Sequence, residues 1–161
     1  MRILGIDPGL AVTGYALVDF LSGATLLLEA GVLRTKESET LSERCAVLFR
    51  ELGAVLDEFK PNHVCIEELY SHYAHPRTAI LMGHARGVIC LVAALREIPV
   101  TSYPATQIKK SLVGHGRAHK VQMQEAITRQ LKLSSRLHPP DVADAMAVAL
   151  CHLNRARYGR S

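Results

Sequence analysis

The sequence predicts an α/β fold: a five-stranded sheet of mixed direction with helices on both faces. Two observations predict it. Three strand-like runs open the chain and are separated by the short turns Pro8-Gly9 and Ser22-Gly23, which is typical of an antiparallel meander. Helical and strand-like segments then alternate, which gives the element order βββαβαβαα when two neighbouring basic helical pieces are counted as one, although chain order alone does not fix the order of the strands in the sheet.

The first half of the chain contains four of the predicted strands and one helix. The first three strands cover residues 2–7, 12–19 and 25–34. A helix over residues 40–59 is predicted because its apolar residues recur at steps of three and four, and Lys60-Pro61-Asn62 ends it. A short apolar strand over residues 63–67 follows.

The second half of the chain is mostly helical. An Ala-rich helix is predicted over residues 78–97, where Gly83 and Gly87 permit the close approach of another element, and a last strand over residues 99–103. Two basic helical pieces, residues 105–112 and 119–132, are separated by Gly114-His115-Gly116. The final helix begins at about Pro140 and ends at about Arg155.

Composition indicates one soluble domain. A chain of 161 residues with 48% hydrophobic content can bury its own core, so we expect a single domain over residues 1–161, and disorder of a tail from about residue 156 is left open. The four cysteines have no metal-ligand spacing, and we interpret them as reduced core residues. The absence of a signal sequence and the shortness of every apolar run predict a cytoplasmic protein that does not enter membranes.

The positive charge is concentrated in one stretch. The net charge of the chain is +4, yet residues 102–138 carry seven Lys or Arg and one acidic residue, Glu125. A basic patch beside an acidic pocket suggests a polyanion that the patch holds and the pocket processes. A solvated helical face explains the same charges and remains the alternative.

Carboxylates occur where the predicted elements end or begin. Asp7 ends the first strand, Glu67 and Glu68 end the fourth, and Asp141 and Asp144 open the final helix. Such a cluster favours a bound metal. The helix dipole explains Asp141 equally well. Asp144 is different, because its helix is apolar nearly all round and an acid on a buried helix needs a partner or a cation.

Five motifs in order resemble the RuvC family of Holliday junction resolvases. They are Ile3-Leu4-Gly5-Ile6-Asp7-Pro8-Gly9 followed by Gly14, Ile66-Glu67-Glu68-Leu69-Tyr70, Gly83-His84-Ala85-Arg86-Gly87, Gln107-Ile108-Lys109 with Val113-Gly114, and Asp141-Val142-Ala143-Asp144-Ala145. The resemblance implies an RNase H-like fold in which the first, fourth and fifth strands are parallel neighbours. It also implies a magnesium-dependent homodimer that makes paired symmetric cuts in four-way DNA junctions.

The resemblance also assigns the site. It implies that four acids bind Mg²⁺, for which Mn²⁺ is expected to substitute. The chemistry of phosphodiester hydrolysis favours two ions, and we expect Asp7 to bridge them because it ends the central strand. The acids are Asp7, Glu67, Asp141 and Asp144. Lys109 and Lys120 are the implied catalytic lysines. Hydrolysis assisted by two metals leaves 5′-phosphate and 3′-hydroxyl ends. Successive strand side chains point to opposite faces, so Glu67 and Glu68 cannot both serve, and position in the motif favours Glu67.

Further residues are expected to contact DNA. Tyr70 stands where the family has a Phe that wedges against junction bases, and its ring retains the ability to stack. Lys110 and Arg117 are expected to contact phosphates, together with Lys109 and Lys120. His72 and His75 fit a polar loop near DNA better than a zinc site, because no third ligand is evident.

The partners are also expectations. They are the four-way junction, a second copy of the chain, and, through the resemblance alone, a branch-migration motor. The candidate dimer interface is the helix over residues 83–95, although packing on the chain's own sheet explains its small residues almost as well. The arginines 155, 157 and 160 leave open whether the tail binds DNA or is disordered.

Three other functions compete with this interpretation. An actin-like ATPase shares the opening strand but needs two such domains, for which the chain is too short. A junction-binding scaffold without activity has no need of Asp144 on an apolar helix. Another RNase H-like nuclease, acting on hybrids or duplex DNA, shares the acids and is the strongest rival.

Overall fold

A computed structural model describes residues 1–69 and 76–159 of the chain. In the described residues the elements follow the predicted order. They are β1 (Arg2–Asp7), β2 (Val12–Leu21), β3 (Ala24–Arg34), α1 (Leu41–Phe59), β4 (His63–Glu67), α2 (Pro76–Ala94), β5 (Val100–Tyr103), α3 (Ala105–Val113), α4 (Lys120–Gln130) and α5 (Pro140–Tyr158).

The strands form one sheet in the order β3-β2-β1-β4-β5. β1, β4 and β5 are parallel, while β2 and β3 are antiparallel and form one side of the sheet. This order confirms the expectation drawn from the resemblance. Because β1 and β4 are parallel neighbours, their final residues, Asp7 and Glu67, lie at the same edge of the sheet.

Each face of the sheet is covered by its own group of helices, as predicted. α3, α4 and α5 pack on one face, against side chains that include Ile3 and Val18. α1 and α2 pack on the other face, against side chains that include Leu4 and Leu17. The two groups of strand residues alternate along the chain because successive side chains of a strand point to opposite faces.

Two glycines let α5 lie directly on the sheet. A Cβ at Gly5 would overlap the carbonyl oxygen of Ala145, and a Cβ at Gly14 would overlap the carbonyl oxygen of Asp141. Gly5 and Gly14 belong to β1 and β2. The contact is therefore between backbones, and it fixes the start of α5 beside the end of β1.

Helix ends are where the structure differs most from the predictions. α2 ends at Ala94, three residues early, because a turn follows in which Glu97 has a positive φ of 57° and Ile98 N donates to Ala93 O. α5 continues to Tyr158 instead of ending near residue 155, so the part of the tail over residues 156–158, whose disorder was left open, is helical. Arg157, in its last turn, stacks over the Phe20 ring at 4.3 Å.

Two expectations from composition are wrong in part. Cys65 and Cys151 are buried, but Cys90 is exposed and Cys45 is only half-buried. α2 is long and apolar enough to cross a membrane by length and composition, contrary to the expectation that every apolar run is too short. The helix is apolar on two sides, because Ala85 and Ile89 are buried in the core while Leu91 is exposed.

Candidate active site

Three elements bring four carboxylates to one end of the molecule. Asp7 ends β1, the central strand, and Glu67 ends its parallel neighbour β4. Asp141 and Asp144 lie three residues apart in the first turns of α5, whose backbone rests on Gly14. The helix dipole favours negative charge at this end of α5. The elements therefore assemble the four predicted acids around the end of one strand.

The electrostatics of the site show how closely the acids are grouped. Burial and then the negative charges of Asp144, Glu67 and Asp141 together raise the pKa of Asp7 to about 7, while Lys120 acts in the opposite direction. The pKa of Glu67 is also raised, first by burial and then by Asp144, with Lys109 and Arg86 acting in the opposite direction. The group holds more negative charge than its own lysines neutralise, so it favours a cation.

Two lysines face the acids across a cleft. Lys120 Nζ donates to Asp144 Oδ2 at 2.9 Å, and this bond raises the pKa of Lys120. Lys109, on α3, lines the same cleft, whose volume is about 210 Å³. Besides these lysines, the cleft is lined by Glu67, Ala105, Ile108, Ala118, Met123, Asp144 and Ala147.

A second cleft adjoins the other two acids. Asp7 and Asp141 line a cavity of about 660 Å³ together with residues of the β1–β2 turn, α1 and the start of α2. Arg44 and Arg77 contribute positive charge to it, and Glu37 negative charge. The turn below Asp7 is fixed because Thr13 Oγ1 donates to Gly9 O at 2.6 Å. The carboxylate group therefore separates two clefts, each with cationic side chains.

The residues fit a hard divalent cation. Carboxylate oxygens are the ligands that Mg²⁺ prefers, and it is bound in proteins by few carboxylates with several waters retained. Among residues 1–69 and 76–159, no three His, Cys, Asp or Glu side chains already converge as a metal-binding group. Asp144 is engaged by Lys120. The acids thus provide suitable donors near one another, without a preformed cage.

The structure separates Glu67 from Glu68. Glu67 is half-buried and lines the cleft with Lys109 and Asp144, whereas Glu68 is exposed. Glu68 N donates to Tyr103 O at 2.9 Å, which extends the pairing of β4 with β5 by one residue. This geometry favours Glu67 as the member of the carboxylate group.

Sequence reasoning missed two arginines near the site. Arg86, on α2, donates to the backbone oxygen of Glu67 and, at 3.1 Å, to Ser102 Oγ on β5. It therefore ties together the ends of two strands beneath the carboxylates. Arg86 stands in one of the motifs quoted above, where its charge within an apolar helix was the available signal. Arg77, which lines the second cleft, carried no comparable signal.

Other predicted DNA contacts lie away from the carboxylates or outside the described residues. Lys110 is exposed and lines a different groove from Lys109. Arg117 is exposed in the loop between α3 and α4. Tyr70, His72 and His75 fall within residues 70–75, outside the described part of the chain, as does the arginine at position 160.

The sequence comparisons identify the family. The family model described as "Crossover junction endodeoxyribonuclease RuvC" matches residues 3–152. The crossover junction endodeoxyribonuclease RuvC of Rhodopirellula baltica is 50% identical over 149 residues, which cover 92% of this chain and 84% of that protein. The protein of the same name from Ruminiclostridium cellulolyticum is 42% identical over 159 residues, with 99% and 95% covered.

Solved structures agree with these relatives. T. thermophilus RuvC, in complex with a Holliday junction substrate, superposes with a TM-score of 0.93 at 32% identity and covers 99% of this chain and 96% of that one. The yeast mitochondrial Holliday junction resolvase Ydc2 has a TM-score of 0.67 at 13% identity, with 94% and 78% covered, and so shares the fold. The fold is therefore the RNase H-like fold of these resolvases. With this fold, these relatives and this family match, the chain belongs to the RuvC family of crossover junction endodeoxyribonucleases and is a Holliday junction resolvase.

Proposed function

We propose that Asp7, Glu67, Asp141 and Asp144 bind Mg²⁺ and cut one strand of the Holliday junction at this site. The observation that carries the proposal is the crowding of carboxylates around Asp7, whose pKa is raised to about 7 by burial and by the three other acids. A fold retains such repulsion where a bound cation offsets it. All three other acids act on Asp7, so it would help to hold the metal together with them.

Each residue has a role that follows from its position. When bound, two Mg²⁺ ions activate water and stabilise charge on the attacking and leaving oxygens. The four acids hold the ions, and Mn²⁺ is expected to occupy the same oxygen donors. Lys120 and Lys109 keep positive charge in the cleft, where they stabilise the phosphate at the cut. No side chain needs to form a covalent intermediate, so the ends are 5′-phosphate and 3′-hydroxyl.

Tyr70, Lys110 and Arg117 remain proposed DNA contacts. Lys110 and Arg117 are exposed cations, which suits contacts with the phosphate backbone. The proposal for Tyr70 rests on the resemblance and on the stacking ability of its ring. Tyr70→Ala is expected to lower the cleavage rate more than the affinity, while Tyr70→Phe keeps both.

Cutting a junction at two positions requires two copies of the site. The exposed face of α2 is the surface through which two chains are proposed to associate. Two symmetric cuts need two acidic groups, which a two-fold dimer supplies. Ile80 and Leu91 are 61% and 52% exposed on α2, Leu95 just after its end is 64% exposed, and a Cβ at Gly87 would meet nothing within 4 Å. Ala85 and Ala93 were among the small residues expected at the dimer interface. Both are fully buried in the core of their own chain, so neither can contact a second chain.

The setting of the enzyme follows from its substrate. The proposed dimer acts on chromosomal junctions in the bacterial cytoplasm, as one domain per chain spanning residues 1–161. A branch-migration motor is the partner that the family resemblance implies. Co-purification of the motor with this chain on junction DNA is the test of that association.

The experiment that tests the site separates binding from cleavage. Asp7→Asn, Glu67→Gln, Asp141→Asn and Asp144→Asn are each expected to abolish cleavage of a labelled junction in Mg²⁺. Junction binding, measured by gel shift in Ca²⁺, should stay intact or become tighter because repulsion of phosphates is reduced. Glu68→Gln is the matched control and should cut at nearly the normal rate. Turnover at the unsubstituted rate in any of the four variants removes that residue from the site.

A further inference from the structure

A groove separate from the two clefts beside the carboxylates lies on the opposite side of α3; we call it the α3–α5 groove. It runs between α3 and the carboxyl-terminal part of α5 and has a volume of about 1080 Å³. Its main polar lining residues are Gln107, Lys110, Ser111, Gln130, Asn154 and Arg155. None of the residues that line it in the described part of the chain is acidic. The groove is larger than the cleft that contains Lys109 and Lys120, and the proposed cleavage site does not account for it.

The lining combines a neutral polar floor with a cationic rim. Gln130 Nε2 donates to Asn154 Oδ1 at 3.0 Å, and Asn154 Nδ2 lies 3.4 Å from Ser111 O and Oγ. These bonds fix the amides in place. Lys110 and Arg155 are exposed, and the Arg155 guanidinium lies 5.9 Å from the centroid of the Tyr103 ring. Amides held in place beside exposed cations match phosphate oxygens, which accept hydrogen bonds and carry negative charge.

Two adjacent lysines on α3 serve different grooves. Lys109 lines the cleft that contains Glu67, while Lys110 lines the α3–α5 groove with Arg155. Consecutive helical residues point about 100° apart, since a turn contains 3.6 residues. The two lysines therefore line separate cavities, so a phosphate in one cavity is distinct from a phosphate in the other. If Lys110 contacts DNA, the contact is with a phosphate other than the one that is cut.

The length of α5 sets the distance between the two contacts. Arg155 follows Asp144 by eleven residues on the same helix, which places it about 16 Å farther along the axis. This distance corresponds to roughly five base pairs along a duplex at about 3.4 Å per step. A single small anion would not need a groove of this size, whereas a stretch of continuous phosphate backbone would fill it.

We propose that this groove binds the phosphate backbone of a junction arm roughly five base pairs from the cut. The inference rests on the proposed function, because the acids define where the cut occurs. It gives Lys110 and Arg155 a role in holding an arm, separate from the chemistry at Asp7. It also gives a function to the basic carboxyl-terminal end of α5.

The first test changes the protein. Lys110→Ala combined with Arg155→Ala should weaken junction binding in Ca²⁺ roughly tenfold and reduce the slope of log affinity against log salt by about two, one for each lost phosphate contact. Arg50→Ala is the matched control, because Arg50 is exposed on α1, which packs on the other face of the sheet. It should leave both quantities unchanged. An unchanged slope in the double variant overturns the proposal.

The second test changes the DNA and uses the unsubstituted protein. Neutral methylphosphonates at positions about four to seven steps from the cut should weaken its binding, and the same replacements near the arm ends should not. In the double variant the inner replacements should cause no further loss, because the contacts are already absent. If the inner replacements weaken binding equally in the unsubstituted protein and in the double variant, the proposal that this groove binds the arm is overturned. If the unmodified protein fails to cut the junction in Mg²⁺, the proposed function fails instead.

Discussion

Asp7 lies half-buried at the end of the central strand, with three other carboxylates as its neighbours. Its pKa rises from 3.8 to about 7 on folding, chiefly because burial disfavours the charged form. The folded state therefore binds this proton more tightly than the unfolded state does. Between about pH 4 and pH 7 the contribution of Asp7 to stability falls as the pH rises, because the proton must be lost from a site that favours it.

Replacing this carboxyl should stabilise the fold when no metal is present. Asp7→Asn is expected to raise the free energy of unfolding at pH 8 by about 2 kcal/mol, less than the roughly 4 kcal/mol that the full pKa shift represents. The gain should raise Tm by about 2–4 °C per kcal/mol. Calorimetry at pH 4 and pH 8 measures it, and the difference between the two proteins should vanish at pH 4.

Added Mg²⁺ supplies the control for this prediction. It should raise Tm of the unsubstituted protein at pH 8, because binding to the folded state alone is stabilising, and should raise Tm of Asp7→Asn much less. If Asp7→Asn proves less stable at pH 8 without metal, Asp7 is a structural hydrogen-bonding residue and not a strained metal ligand.

Individual site residues differ in how well the sequence predicts them. Asp144 is recognisable because an acid stands on an otherwise apolar helix, and the structure places it beside Lys120. The distinction between Glu67 and Glu68 follows from strand alternation once the register is known. Arg86 is not predictable in this way, because its contact with the Glu67 backbone depends on how α2 crosses the sheet, which local sequence does not determine.

At the scale of elements, the site depends on how closely α5 approaches β1 and β2. The contact is made between backbones, because Gly5 and Gly14 have no side chain to separate the elements. The carboxylates on α5 are held beside Asp7 by this contact. Any residue larger than glycine at either position must displace the helix that carries Asp141 and Asp144.

We expect Gly14→Ala to reduce cleavage far more than it reduces folding. Its Cβ would overlap the backbone of Asp141, and a displacement of about 1 Å at a catalytic group costs on the order of a hundredfold in rate. Gly53→Ala is the matched control: its Cβ would meet the flexible end of Arg96, and α1 gains a better helix former. Single-turnover cleavage and thermal unfolding measure both effects. Normal cleavage by Gly14→Ala would show that α5 tolerates the shift.

Elements were predicted well where their pattern is local. The bounds of β1 and β4 agree with the structure because a turn or a break follows each apolar run at once. The ends of α2 and α5 were not predicted. At the end of α5 a tertiary contact is involved, because Arg157 stacks on Phe20, a residue 137 positions earlier, and local sequence does not reveal such a contact. Strand order came from the resemblance, since chain order leaves it open.

At the scale of the whole molecule, the exposed apolar face of α2 is expected to join two chains. Leu91→Asp should convert a dimer of about twice 17.7 kDa into a monomer, because it places a charge in the centre of an apolar interface. Light scattering measures the mass. Leu21→Asp is the matched control, since Leu21 is 62% exposed at the end of β2 and lies on a different element. If the unsubstituted protein, Leu91→Asp and Leu21→Asp all have the same mass, α2 does not form the dimer interface.

Cleavage of a four-way junction beside duplex DNA of the same sequence tests the central claim most directly. The labelled substrates are incubated with the protein in Mg²⁺, and the products are treated with DNA ligase without other processing. We predict that the junction is cut at two symmetric positions into nicked duplexes that ligase seals, while the duplex stays intact. Equal cleavage of the duplex, or junction products that ligase cannot seal, would contradict paired hydrolysis by two carboxylate sites.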